Sequence, residues 1–133
     1  MHSKGVKLPA MKNIFLIFFV IAFAGCAAVK KDKALESMPP DAPVTRISVT
    51  AKQFEFTPKI LQVKQGTHII LEIESLDVTH GFKIEHYGIN VTIPEKRKVT
   101  VEFYTRETGI YPFKCSRFCG AGHLGMRGKI IVE

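Results

Sequence analysis

From Thr45 onward apolar and polar residues alternate with the period of two that marks half-buried strands. Ile47-Ser48-Val49-Thr50 opens the series, and Phe54-Glu55-Phe56 follows until Thr57-Pro58 stops it. Ile60 to Val63 closes on the turn Lys64-Gln65-Gly66. Ile69, Leu71 and Ile73 then share one face of a strand, while His68, Glu72 and Glu74 take the other. A strand from His80 places His80, Phe82 and Ile84 on one side, Ile89 to Ile93 is a short strand, and Val99, Val101 and Phe103 line the inner face of another. Thr108-Gly109 turns the chain into Ile110 to Lys114, and Gly128 to Val132 is the last strand. Short strands separated by turn signals predict an all-β sandwich or barrel. No segment past the N-terminal apolar run keeps a helical period.

That N-terminal run reads differently. Lys4, Lys7 and Lys12 precede apolar residues from Ile14 to Ala24, a pattern of an export signal over residues 1–25. Phe23-Ala24-Gly25-Cys26 resembles the bacterial lipobox, which would make Cys26 the lipidated mature N-terminus. The alternative is a retained anchor, because Asn13 to Val29 is uncharged and near the short limit for spanning a bilayer. Both place the domain outside the cytoplasm and against a membrane, in a periplasm or on the outer face of the cell membrane. Residues 26–44 are charged and then rich in proline (Pro39, Pro40, Pro43), a semi-extended tether ahead of a domain at 45–133.

Composition narrows the picture modestly. The 133 residues hold one domain plus the leader, and ten phenylalanines supply a core. The formal charge is +7, but setting aside Lys4, Lys7 and Lys12 leaves 16 basic residues against 12 acidic ones, a net +4. Basic and aromatic residues do not interleave on one face, so no nucleic-acid partner is expected. Of the three cysteines, one is near the N-terminus and two lie in one loop, so no disulfide framework is implied.

The chemistry concentrates between the last two strands. Cys115, Cys119, His123 and Met126 fall within twelve residues, two thiols, an imidazole and a thioether that together suit copper. Gly120, Gly122 and Gly125 lie among them and predict a tight loop rather than the helix that would also align positions 115, 119, 123 and 126. Strand parity adds an independent signal. Tyr111, Phe113 and Cys115 share a side, Met126 is in phase with Gly128, Ile130 and Val132, and His80 is in phase with Phe82 and Ile84. Three strand ends thus aim soft donors at the core. A structural zinc site of His80, Cys115, Cys119 and His123 is chemically feasible, and so is a Cys115–Cys119 disulfide, but both leave Met126 without a role. His68 reads as a solvated histidine, and His86 lies too far along the His80 strand to be a ligand.

His80 followed by Cys-x3-Cys-x3-His-x2-Met, with the Val63-Lys64-Gln65-Gly66 turn and Asp77-Val78-Thr79-His80, resembles the binuclear copper (CuA) domain of cytochrome c oxidase subunit II, a site shared with nitrous oxide reductase. The resemblance covers residues 45–133. It implies a cupredoxin-like, antiparallel Greek-key β-sandwich holding two copper ions. Cys115 and Cys119 would bridge them, His80 and His123 would each bind one, and Met126 and the backbone carbonyl of Arg117 would be weak ligands. It further implies single-electron transfer in a respiratory chain, with an electron donor and an acceptor such as an oxidase subunit I. No open coordination position follows from this ligand set, so substrate chemistry at the metal is not expected. A copper-handling protein that stores or delivers the metal is the alternative of a different class.

Two departures from that family bear on partners. Arg117 stands where proton-pumping oxidases commonly carry a glutamate that touches a further metal ion. The chain has no Trp, the residue through which relatives commonly receive electrons from cytochrome c. Lys114, Arg117, Arg127 and Lys129 instead surround the loop, either as a basic docking rim or as a solvated face.

Overall fold

A computed structural model describes residues 33–133. The expected export segment and Cys26 lie outside the described residues. Among the described residues nine strands form two sheets: β1 (Val44–Lys52), β2 (Glu55–Thr57), β3 (Ile60–Val63), β4 (His68–Ser75), β5 (His80–Ile84), β6 (Ile89–Ile93), β7 (Lys98–Tyr104), β8 (Gly109–Lys114) and β9 (Arg127–Val132). One sheet has the order β2-β1-β4-β7 and the other β3-β9-β8-β5-β6. Among the described residues no helix is long and apolar enough to cross a membrane.

The predicted alternation becomes the core. Ile69, Leu71 and Ile73 are sealed, whereas Glu72 and Glu74 on the other face are half-buried. Opposite them lie Leu61, Phe82, Ile84, Phe113, Ile130 and Val132 from the second sheet. Phe56, Phe82 and Phe113 meet between the sheets with ring centroids 5.0 to 5.5 Å apart, two of the pairs edge-on. Burying each ring contributes about 1.5–3 kcal/mol relative to leaving it in water. Phe82 and Phe113 each stand two residues from a candidate ligand, His80 and Cys115, so this trio is the floor of the site.

The sandwich is as expected, but it is not purely antiparallel. β1 runs parallel to β4, and β3 parallel to β9. The cause is chain routing: after β2 the chain crosses to the other sheet as β3 and returns as β4, beside β1 and in the same direction. Residue alternation reports which face is buried and carries no information on strand direction.

Register also fixes which end holds the metal loop. Val44 pairs with His68 at the start of β4, and Ala51 pairs with Ser75 at its end. β5 and its His80 follow Ser75 after the short turn Leu76-Asp77-Val78-Thr79, so the chain enters β1 at the end away from His80. Within the segment assigned to the tether, Lys33–Leu35 forms a 3₁₀ turn with Ala34 buried, and Glu36 pairs with Arg106 at 3.0 Å.

Candidate metal centre

Two walls meet at this site. The first is the start of β5. Gly81 is the residue that lets the second wall approach: a Cβ there would stand 2.7 Å from the Arg117 nitrogen. Its own N–H points at Cys115 Sγ, 3.4 Å away. His80 is fully buried beside it, with Nε2 2.7 Å from Asp77 Oδ1. Burial would raise the Asp77 carboxyl, but the Gln53 N–H, His80 and the Val78 N–H outweigh it and hold it below its ordinary value. An ionised Asp77 only accepts, so His80 Nε2 donates to it, and in the neutral ring that tautomer leaves the lone pair on Nδ1. Nδ1 is buried and has no partner. An orphaned buried imidazole nitrogen costs stability unless something occupies the space before it, and a metal ion fits that role.

The second wall is the loop from Cys115 to Met126. It contains a 3₁₀ turn at His123–Gly125 and no continuous helix, as its glycines predict. Its ends are tied by the Cys115 N–H, which donates to the Met126 carbonyl at 2.9 Å. The two sulfurs of Cys115 and Cys119 lie 3.8 Å apart, buried and not bonded to each other. Around them stand the Arg117 carbonyl, 3.1 Å from Cys115 Sγ, and His123 Nδ1 and Met126 Sδ, each 3.8 Å from Cys119 Sγ. Donor atoms of His80, Cys115 and Cys119 fall within 4.8 Å of one another. The Cys119 thiol is pushed up to about 11, by burial first and by the Cys115 thiol beside it. Loading a metal must therefore displace the proton of Cys119.

All six predicted ligand groups are thus brought together. His80, Cys115, Cys119 and Met126 are buried, His123 is half-buried, and Arg117 offers its carbonyl while its side chain faces solvent. The zinc alternative accounts for four of these and leaves the buried Met126 thioether idle; the disulfide accounts for two. His68 is half-buried and pairs with Glu102 at 2.8 Å. His86 stacks on Tyr111 at 4.1 Å. Of the four basic residues near the loop, Lys114 is held by Glu85 at 3.0 Å, and Arg127 donates to the Leu124 carbonyl. Glu85 itself is held below its ordinary range by Lys114 and Lys83.

Three supporting residues escape a reading of ligand motifs. Asp77 orients His80, and Gln53 donates both its backbone N–H to Asp77 and its side-chain amide to the Cys119 carbonyl, joining the two walls. Gly81 permits their approach. An Asp three residues before a candidate ligand was a readable signal; Gln53, far off in sequence, was not.

Paired sheets closed over an apolar core, with a sulfur-rich loop between the last two strands, define a cupredoxin-like sandwich. The family model described as a cupredoxin-like domain matches residues 14–132, and the chain belongs to that family. It is related to cytochrome c oxidase subunit 2: the Thermus thermophilus protein is 37% identical over 87 residues, 65% of this chain and 64% of that one. The chain therefore spans less than two thirds of that relative. Nitrous-oxide reductase of Cupriavidus necator is 31% identical over 91 residues, 65% of this chain but 14% of the reductase. A solved heme-copper terminal oxidase dimer matches at a TM-score of 0.62 and 28% identity, covering 67% of this chain and 65% of that one.

Proposed function

We propose that this domain holds a binuclear copper centre and relays single electrons in a respiratory chain, as the electron-entry part of an oxidase-like complex. The observation that carries the reading is the unbonded sulfur pair at 3.8 Å, with a thioether and a second imidazole at the same distance from Cys119. Cys115 and Cys119 would bridge two ions, His80 and His123 would each bind one, and Met126 and the Arg117 carbonyl would complete the shell. Copper held this way supplies a single electron delocalised over two metals, so little reorganisation accompanies its arrival or departure. The chain's own residues supply the rest. Asp77 sets the His80 tautomer, Gln53 pins the loop to β1, and Phe82 and Phe113 keep water from beneath.

Relatives named for terminal oxidation and for nitrous-oxide reduction support this reading, because both use external electrons. The setting belongs to the same proposal: outside the cytoplasm, attached through lipid on Cys26 or a retained helix, next to a subunit I. Replacing Cys26→Ser should abolish processing and membrane fractionation if lipid is the anchor; unchanged fractionation favours the helix.

A redox titration of the copper-loaded full chain tests the function. The expected result is reversible uptake of one electron for every two coppers. Two independent one-electron steps would contradict a shared centre. Copper surrendered to a chelator on reduction would point to a copper-handling protein instead.

A further inference from the structure

The metal loop turns apolar side chains toward solvent. Phe118 and Leu124 are 77% and 80% exposed, the most exposed large hydrophobic residues among those described, and both stand between ligands. Phe54, at 38%, joins them from the β1–β2 turn. Its ring lies so close to the loop that a Cβ at Gly120 would come within 2.8 Å of it. The Phe118 ring sits 5.9 Å from that of His123, the half-buried ligand. Scattered surface hydrophobics are ordinary, but a cluster gathered on one functional loop marks an interaction site.

The loop's own charges have one sign. From Lys114 to Lys129 the sequence contains no Asp or Glu. Lys114 is neutralised from outside by Glu85. Arg117 is exposed, with no ion-pair partner among the described residues, and Arg127 braces the carbonyl of Leu124. The tip of the patch is thus held in place by one of its own cations. A cavity of about 730 Å³ opens alongside, lined in part by Cys115, His123, Leu124, Met126 and Arg127, and it brings the ligand set close to the surface.

We propose that Phe54, Phe118 and Leu124, flanked by Arg117 and Arg127, form the docking face for a redox protein whose electron-transfer edge is apolar and ringed by acidic residues. This rests on the electron-transfer reading above and names its partner's chemistry. Arginines steer and orient the encounter, and the apolar contact expels water from the shortest path to His123. One electron crosses from the reduced partner to the metal centre, so the partner loses one and the centre gains one; no bond forms and no proton moves.

The probes are cytochrome c, basic through its lysines, and the same protein with those lysines succinylated, which inverts its charge. At about 20 mM salt the succinylated form should shift the backbone amides of Phe54, Phe118 and Leu124 in NMR spectra of the full chain. It should also exchange electrons with the copper-loaded chain about tenfold faster than unmodified cytochrome c, an advantage that about 0.5 M salt removes. Phe118→Ser with Leu124→Ser should weaken its binding about tenfold and leave the copper spectrum unchanged. Arg117→Glu should shrink the preference about threefold. Unmodified cytochrome c binding equally well, amide shifts mapping to another face, or wild-type binding by the Phe118/Leu124 variant would each overturn the docking face. Binding at the patch without electron exchange would uphold the face and reject the electron-transfer reading.

Discussion

His80 and His123 belong to one donor set and reach it from opposite situations. His80 sits at the start of a paired strand, sealed from solvent, with one nitrogen on Asp77 and the other buried without a partner. His123 rides a 3₁₀ turn, is half-buried, and has the exposed Phe118 and Leu124 for neighbours in the loop. The scaffold fixes the first and glycine-rich loop packing fixes the second. On the proposed reading, retention of the metal would depend on the inner wall and the sulfur pair, and communication with a partner on the outer loop. Substitutions on the two sides should separate those properties.

The largest expected effect is on the sulfur pair that both walls share. Cys119→Ser would remove a proposed bridging thiolate together with its contacts to His123 and Met126, so the shared-electron signal should vanish and metal stoichiometry should fall, as measured by EPR and elemental analysis. A variant that kept the signal would show that the second sulfur is not a ligand.

On the inner wall, Asp77→Asn keeps the shape but no longer holds His80 in one tautomer by charge. Copper affinity should fall about 10–100-fold in competition with a chelator, the usual consequence of losing a partner of a ligating histidine. Affinity within twofold of wild type would mean that Gly81 and packing alone orient the ring.

How much of this was legible beforehand differs between the same two regions. Alternation in Ile69-Leu71-Ile73 and the phase of Cys115 with Phe113 revealed the buried face and the inward aim of the ligands, because those depend only on period. Strand direction was hidden, since the crossing through β3 that makes β1 and β4 parallel leaves no mark in the residue pattern. The partner of Lys114 was hidden as well: the pairing of Lys83 with Lys114 brings Glu85 within 3.0 Å, a contact that no local pattern announces. Gln53, which stitches the walls together, is 66 residues from the Cys119 carbonyl it bonds, and no local signal announces it.

The smallest effect should come from the outer loop. Leu124→Ser alters a side chain that is 80% exposed, so unfolding free energy should change by no more than about 0.5 kcal/mol in denaturant titrations. A loss of several times that size would show the loop to be part of the core's stability and would erase the distinction between the two sides.

The central claim is that this sandwich holds two coppers sharing one electron. The most direct measurement is the EPR spectrum of the copper-loaded full chain, read with the copper content of the same sample. The account predicts two coppers per chain and a hyperfine pattern from one electron coupled equally to both nuclei. One copper per chain with coupling to a single nucleus would contradict it.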